Sequence, residues 1–243
     1  MRLPDIYEQM IISLLILAVS GMYQNGLDNT VPQLSLAVAT AALLDLFLKR
    51  LKLKRFVVPK SGIITGLLVG MVLNLTSPWY AAIVTAAAAI ALKHLIIYKG
   101  RNVFNPASLG LVLCGFVFGF GGGWWSSSNP ALIIILGILV MYRVKGYYMV
   151  VPYLVLFFLL FTISKSFAVT ADSFLNPIIL FFSFFMLTEH KTAPHFAMQR
   201  VIYGSVIAVF AFVLFYYLPA YFLLLPLLIG NICGLVIEQL IKK

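Results

Sequence analysis

The stretch Gly100–Gly110, GRNVFNPASLG, lies between two apolar runs and combines a base, two asparagines, a proline and two glycines. Asn105 followed by Pro106 predicts a helix start, with asparagine as the N-cap and proline at the first helical position. The apolar run that opens there, residues 105–120, is shorter than the roughly 20 residues that a straight helix needs to cross a bilayer. Such short spans indicate broken or re-entrant helices, which a membrane tolerates only where protein or a cavity surrounds them.

The composition of the whole chain is that of a membrane protein. Its 243 residues are 63% hydrophobic and only 10% charged, whereas a soluble domain has about 25% charged residues. Ten apolar spans recur along the sequence, at residues 9–23, 32–48, 61–75, 79–97, 105–120, 130–142, 148–164, 174–188, 200–217 and 221–240. The third, fifth, sixth and eighth are short. We predict an all-α polytopic membrane protein with about ten transmembrane helices, the first of which is retained rather than cleaved as a signal peptide.

The positive charges predict the orientation of these helices. If the N-terminus is cytoplasmic and ten helices alternate, all of the 17 Lys and Arg residues except Lys165 fall on the inner side. This positive-inside distribution predicts cytoplasmic termini in the inner membrane, and it accounts for the net charge of +10 without a nucleic-acid partner. Trp79, Trp124 and Trp125 are then expected at the outer interface as aromatic belt residues.

The spans also predict an internal repeat. Five spans in each half are an odd number, so the second half enters the membrane from the opposite face, as in inverted repeats. LNLTSP at Leu73–Pro78 and LTEHKTAP at Leu187–Pro194 end the equivalent third and eighth spans. We therefore predict a single membrane domain, residues 1–243, made of inverted repeats at residues 1–122 and 123–243.

Few ionisable residues lie at membrane depth, and each is a candidate for a functional site. Asp45 is expected either to bind a proton or cation or to pair with bases at the inner interface. Lys93 and His94 are expected to snorkel from the end of the fourth span. Glu189 and His190 are expected either to titrate with a redox reaction or to cap the inner face. The sequence has no pattern of a hydrolase, a P-loop or a metal site, so no catalytic residue and no metal ligand is predicted.

Two features have both a structural and a functional interpretation. Gly62, Gly66 and Gly70 line one helical face, which suits close helix packing or a flat ligand. The start of the fifth helix beside Arg101 suits an anion, because free N–H groups and a full positive charge meet there. An ordinary capped helix with Arg101 facing lipid headgroups is the alternative.

Three segments resemble one family. GRNVFNPA resembles the signature of the membrane subunits RnfD and NqrB, from the Rnf ferredoxin:NAD oxidoreductase and the sodium-pumping NADH:quinone reductase. SGIITGLLVG with SPWYAAIVTA is similar to that family's SG-x-x-T-x-L-L segment and P-W-W run. FFMLTEHKTAP with RVIYG is similar to its FFMATDPVTSP and R-x-I-YG. The three matches occur in the family's order, from Ser61 to Gly204.

The resemblance implies ten helices in two inverted five-helix repeats, similar to urea transporters, and electron transfer across a membrane through flavins. The family attaches one FMN covalently to a threonine in an outer S/T-G-A-T motif. Here the corresponding loop, GFGGGWWSSSNP, contains no threonine, and Thr170 does not fit the pattern. We therefore expect a divergent, shortened member that holds riboflavin or FMN non-covalently.

The resemblance also implies a site and partners. The predicted cofactor-binding residues are Ser61, Gly62, Thr65, Arg101, Asn102, Phe104, Asn105, Pro106, Thr188, Glu189 and Thr192. Other membrane redox subunits and a cytoplasmic electron donor are the expected partners, because the chain has no NAD(H) site and no iron–sulfur ligand set of its own. The alternatives are a transporter or channel for a small polar solute with the same fold, and a structural subunit without a cofactor.

Overall fold

A computed structural model describes residues 4–54, 56–164, 176–189 and 191–240. In these ranges the chain forms ten helices, which divide between two compact units. Unit 1 consists of Met1–Ile97 and Pro106–Asn129, and unit 2 of Tyr98–Asn105 and Pro130–Lys243. The predictions that concern Arg2, Arg55, Lys165, Thr170, His190, Lys242 and Lys243 fall outside the described residues.

Unit 1 contains the first five helices. They are α1 (Ile6–Asn25), α2 (Leu27–Leu53), α3 (Lys60–Val72), α4 (Trp79–Leu95) and α5 (Pro106–Phe118). Asp5 begins α1 with a capping box, because its carboxylate accepts from the backbone N–H of Glu8 at 2.8 Å. The ammonium of Lys60 also bonds to Asp5 and Glu8, at 2.5 and 2.7 Å, and so joins the first residues of α3 to those of α1.

Unit 2 contains the other five helices and most of a hairpin. The helices are α6 (Pro130–Arg143), α7 (Tyr147–Ile163), α8 (Pro177–Met186), α9 (Ala197–Tyr217) and α10 (Leu224–Leu240). The last turn of α8, Phe182–Met186, is π-helical. The strands β1 (Ile97–Tyr98) and β2 (Arg101–Asn102) pair where the chain passes from unit 1 into unit 2. The all-helical prediction missed this hairpin, which turns through two residues with positive φ, Lys99 and Gly100.

The predicted helix lengths are confirmed in the described residues. Three helices, α1, α2 and α9, are long and apolar enough to cross a membrane, and the other seven have 10–17 residues. The four spans predicted to be short correspond to α3, α5, α6 and α8, with 13, 13, 14 and 10 residues. The prediction of an all-α protein with about ten apolar helices is therefore confirmed, apart from the hairpin.

The C-terminal end of the short helix α3 is closed by side chains and backbone of unit 1. The amide of Gln33 donates to the carbonyls of Gly70 and Leu73 at 3.0 and 2.9 Å. The indole N–H of Trp125 donates to the same Gly70 carbonyl at 2.7 Å. Two backbone N–H groups of the glycine-rich loop after α5 reach the Val72 carbonyl at 2.7 and 3.1 Å. These bonds replace the helical partners that the last carbonyls of α3 lack.

The position of Trp125 corrects the prediction of an aromatic belt. Trp125 is only 5% exposed and packs so closely on α1 that a Cβ at Gly21 would lie 3.0 Å from its ring. It therefore binds the end of α3 inside unit 1 and does not face lipid. Trp79 is 69% exposed and stays a candidate for the interface.

Glycines permit the closest helix contacts within each unit. In unit 1, a Cβ at Gly66 would lie 2.7 Å from the Cα of Val38 on α2. In unit 2, Gly204 of α9 lies directly against the Met149 carbonyl of α7. Three helix pairs pack in both units: the second helix on the fourth, the fourth on the fifth, and the first on the third. In unit 1 the second helix also packs extensively on the third, whereas the equivalent contact in unit 2 is slight.

We predict that Gly66→Ala lowers the stability of the protein. The added Cβ meets backbone atoms of α2 that cannot rotate away, and overpacking of this kind costs about 1–3 kcal/mol. The matched control is Gly121→Ala, since Gly121 has nothing within 4 Å of its Cβ position. Thermal unfolding of the detergent-purified protein should show a lower midpoint for Gly66→Ala alone. Equal midpoints for the two variants would contradict the packing of α3 on α2.

Candidate functional site

A buried charge cluster in unit 1 is centred on Asp45. The Asp45 side chain is fully buried on α2, and its carboxylate lies 2.6 Å from the ammonium of Lys49 one turn further on. Lys93 and His94 from α4 approach the other carboxylate oxygen at 3.1 and 2.8 Å. Of the two interpretations of Asp45, the ion pair with neighbouring bases is the one that the structure contains.

The prediction for Lys93 and His94 was wrong. Lys93 is 6% exposed and its ammonium donates to Ser61 at 2.5 Å as well as to Asp45, so it points into unit 1 and does not snorkel. His94 is also drawn inward by Asp45. The reason is electrostatic, because a buried carboxylate is costly unless nearby cations compensate it.

Three predicted site residues on α3 adjoin this cluster. Ser61 accepts the hydrogen bond from Lys93, and Thr65 donates to the Ser61 carbonyl at 2.9 Å. A Cβ at Gly62 would lie 2.6 Å from the Cβ of Asp45, so this glycine faces α2. Gly66 and Gly70 face α2 in the same way, which is the helix-packing interpretation of the glycine face. A contact between Gly62 and a cofactor stays a prediction.

In unit 2, Arg101 holds the loop that follows α8. Its guanidinium donates to the carbonyls of Ala193 and Lys191 at 2.8 and 3.4 Å. It also pairs with both carboxylate oxygens of Glu238 on α10, at 3.1 Å each. One of its nitrogens lies 2.8 Å from the ring nitrogen Nε2 of His195. Arg101 is thus bonded to protein groups around this loop, where the sequence had suggested an anion or lipid headgroups.

A second arginine binds the same loop from α9. Arg200 donates to the Pro194 carbonyl at 2.8 Å and to the carbonyls of Val144 and Lys145 at 3.0 and 3.2 Å. It therefore ties the loop after α8 to the turn between α6 and α7.

Asn105 begins a buried chain of hydrogen bonds in unit 2. Asn105 is fully buried; its backbone N–H donates to the side chain of Asn231 at 2.9 Å, and its amide donates to the Met186 carbonyl at 3.2 Å. Asn231 in turn donates to the hydroxyl of Tyr203 at 2.7 Å. Through the Met186 carbonyl, these hydrogen bonds satisfy the C-terminal end of the short helix α8, as Gln33 and Trp125 do for α3.

The predicted residues Thr188, Glu189 and Thr192 follow α8 directly. Thr188 and Thr192 are 2% and 5% exposed. Their hydroxyls donate to the carbonyls of Phe184 and Glu189 at 2.6 and 3.3 Å. The side chain of Glu189 is partly exposed. These three residues therefore form a compact turn at the end of α8.

Asn102 carries a polar group that the described residues do not satisfy. Its side-chain nitrogen Nδ2 is buried and has no hydrogen-bond partner among them. Phe104 is partly exposed, and Pro106 is buried as the first residue of α5, as the sequence predicted. A buried amide without a partner costs free energy, so a ligand that accepts a hydrogen bond would be favoured there.

The eleven predicted residues fall into both units. Unit 1 holds Ser61, Gly62, Thr65 and Pro106, and unit 2 holds Arg101, Asn102, Phe104, Asn105, Thr188, Glu189 and Thr192. Within unit 1, hydrogen bonds link Ser61 and Thr65. Within unit 2, Thr192 bonds to Glu189. No group of three or more metal-binding side chains occurs in the described ranges.

Sequence reasoning missed Gln33, Tyr203, Asn231 and Glu238. Gln33 and Asn231 are single amides inside apolar spans, a signal that would have identified both. Tyr203 lies within the RVIYG segment but was not singled out there. Glu238 had no signal that linked it to Arg101, because 137 residues separate the two.

Comparison with known proteins finds one family, and the curated relatives share one name. Residues 1–121 match the NQR2, RnfD, RnfE family. The chain is 31% identical over 110 residues to a subunit of the ion-translocating oxidoreductase complex of Aliivibrio salmonicida, a match that covers 43% of this chain and 31% of that protein. It is 38% identical over 78 residues to the protein of the same name in Cronobacter sakazakii, a match that covers 32% of this chain and 22% of that protein. With the Yersinia enterocolitica protein of that name it shares 36% over 85 residues, covering 33% and 24%. The matches thus span less than a third of the length of these curated relatives.

We predict that Asp45→Asn strongly destabilises the protein. The change leaves Lys93 buried without its counter-charge, and removing one partner of a buried ion pair costs about 3–5 kcal/mol. The matched control is Asp28→Asn, because Asp28 is an exposed acid in the first turn of the same helix.

Unfolding midpoints of both variants test this prediction. Lys93→Met combined with Asp45→Asn should lose less stability than the two single changes added together, since the double variant leaves neither charge unpaired. Additive losses would contradict a direct interaction between Asp45 and Lys93.

Proposed function

The chain belongs to the NQR2, RnfD, RnfE family through residues 1–121, and on that premise we propose that it is one of the membrane subunits of an ion-translocating oxidoreductase complex. In this role it holds riboflavin or FMN non-covalently and passes electrons across the membrane. Its partners are other membrane redox subunits and a cytoplasmic electron donor. Membership of the family supports the proposed role in an oxidoreductase complex. The three motifs that occur in the family's order from Ser61 to Gly204 support the proposed flavin.

The buried amide of Asn102 is the observation that carries the flavin proposal. Flavins have ring carbonyls and ribityl hydroxyls that accept hydrogen bonds, and Asn102 has a buried donor without a partner among the described residues. The resemblance assigns this same residue to the flavin site. Satisfying such a group is favourable, because an unpaired buried donor carries its full desolvation penalty.

The residues around Asn102 supply positioning. Asn105 is fixed by Asn231 and by the Met186 carbonyl, which holds the residue that precedes α5. Arg101, which comes directly before Asn102, is fixed by Glu238 and by the loop after α8. A flavin supplies the redox chemistry when bound, and the protein binds it, orients it and limits water around it.

The orientation of the helices in the membrane and the internal repeat are part of the same proposal. In the described residues each unit has five helices, and three of the helix pairs that pack together are the same in both units, which supports two five-helix repeats. An odd number of helices per repeat supports opposite directions of insertion, and the positive-inside distribution supports cytoplasmic termini in the inner membrane. We propose the inverted, urea-transporter-like arrangement on these grounds.

The test is the flavin content of protein purified from its native membrane. We expect an absorption band near about 450 nm, typical of flavin cofactors, and complete release of the flavin on acid denaturation. Asn102→Ala should lower flavin affinity by about fivefold, the loss expected for one buried hydrogen bond of about 1 kcal/mol, and it should lower occupancy equally when flavin is below its dissociation constant. Asn29→Ala, which changes an exposed asparagine on α2, is the control and should keep the occupancy of the unchanged protein.

Three results would count against this proposal. A colourless protein without extractable flavin would contradict it and favour the solute transporter or the structural subunit. Flavin that stays on the denatured chain would contradict non-covalent binding. Equal occupancy in both variants would contradict the role of Asn102.

A further inference from the structure

A polar pocket in unit 2 lies beside the hairpin, and its chemistry does not depend on the proposed flavin. It has a volume of about 210 Å³. The side chains that line it are polar or aromatic for the most part: Tyr98, Lys99, Arg101, His195, Phe196, Gln199, Leu235, Glu238 and Gln239. Pockets for drug-sized ligands measure about 300–1,000 Å³, so this one is too small for a flavin. Its size suits a small polar group.

The charges of the pocket leave one cation in excess. Glu238 is the single carboxylate in the lining, and Arg101 pairs with both of its oxygens at 3.1 Å. The backbone N–H of His195 also donates to Glu238, at 3.0 Å. An arginine can only donate hydrogen bonds, so the ring nitrogen of His195 at 2.8 Å from Arg101 accepts one. The positive charge of Lys99 is thus not balanced within the pocket.

The backbone of Lys99 shows that this lysine occupies an unfavourable position. Lys99 and Gly100 form the two-residue loop between β1 and β2, with φ of +48° and +79°. Such loops favour asparagine, aspartate or glycine, because other side chains are strained at positive φ. The ammonium lies 5.3 Å from the centre of the Tyr98 ring, and no carboxylate of the described residues lies within ion-pair distance of it.

Two aromatic side chains that line the pocket are accessible. Phe196 is 52% exposed and Tyr98 is 41% exposed. The amide of Gln239 donates to the hydroxyl of Tyr98 at 3.1 Å, which fixes the aromatic ring beside the ammonium. Lys99 is exposed as well. An exposed ammonium beside aromatic side chains fits an anion that has an apolar or neutral remainder.

We propose that this pocket binds a phosphate group through Lys99. A phosphate group with a net negative charge has at least two unesterified oxygens that accept hydrogen bonds, and it pairs with an ammonium as a point charge, which matches one unbalanced lysine. In phosphatidylcholine the choline cation offsets this charge. The phosphate belongs either to an anionic phospholipid headgroup or to a free phosphate ion, and both offer the same chemistry to Lys99.

The test compares two lysines with the same backbone conformation. Lys99→Asn removes the ammonium and suits positive φ, so the hairpin keeps its fold. Lys145→Asn is the matched control, because Lys145 is also an exposed lysine at φ +53° but does not line the pocket. Full-length protein in detergent is titrated with short-chain phosphatidylglycerol, with short-chain phosphatidylcholine, and with sodium phosphate against sodium chloride of equal ionic strength. Binding is measured by native mass spectrometry and by the shift of the unfolding midpoint.

We expect Lys99→Asn to weaken binding of the phosphate ligand about tenfold, and Lys145→Asn to leave it unchanged. Preference for phosphatidylglycerol over phosphatidylcholine, without an effect of inorganic phosphate, assigns the site to lipid. An effect of inorganic phosphate that depends on Lys99 assigns it to the free ion. The proposal is overturned if the two variants behave alike, or if neither phosphatidylglycerol nor phosphate binds better than its control. Flavin content does not enter these measurements, so their failure leaves the proposed function standing.

Discussion

The structure depends on one constraint: short helices whose ends fall inside an apolar protein must have their terminal backbone groups satisfied by that protein. In this protein, single polar side chains bond to these terminal backbone groups. Gln33 and Trp125 close α3 through the Gly70 carbonyl, and Asn105 closes α8 through the Met186 carbonyl. Because each of these bonds joins distant parts of its unit, the helix ends also fix the loops beside them. Several of the predicted cofactor residues lie on α3 or directly after α8.

The sequence predicts what depends on neighbouring residues and misses what depends on tertiary contacts. Asn105–Pro106 marks the start of α5 correctly, because the fixed φ of proline acts on the residue itself. Hydrophobic spacing likewise identifies the short helices. Lys93 was misplaced, since its partner Asp45 is 48 residues away, and no local pattern joins them. Tryptophan is a residue type typical of the membrane interface, yet Trp125 donates to the Gly70 carbonyl, 55 residues away, and lies inside unit 1.

The candidate site shows the same division. Motif order predicts Asn102, Asn105 and Thr192 as site residues. Asn231, which holds Asn105 in place, lies in no motif, and the FFMLTEHKTAP match did not indicate that the Met186 carbonyl would bind Asn105. Arg101 is an instructive case, because its charge suggested an anion site while the fold uses it to hold the loop after α8. The unbalanced charge is instead that of Lys99, in the hairpin that the helical periodicity did not predict.

We propose that this chain carries electrons through a flavin near Asn102 within a larger complex. The most direct measurement is the reduced-minus-oxidised difference spectrum of the complex purified from its native membrane, with electrons supplied by its own donor. We predict that a flavin band bleaches on reduction, and that this bleaching is smaller in the complex with Asn102→Ala than in the complex with Asn29→Ala. The same bleaching and electron flux in complexes that lack the chain altogether would contradict it.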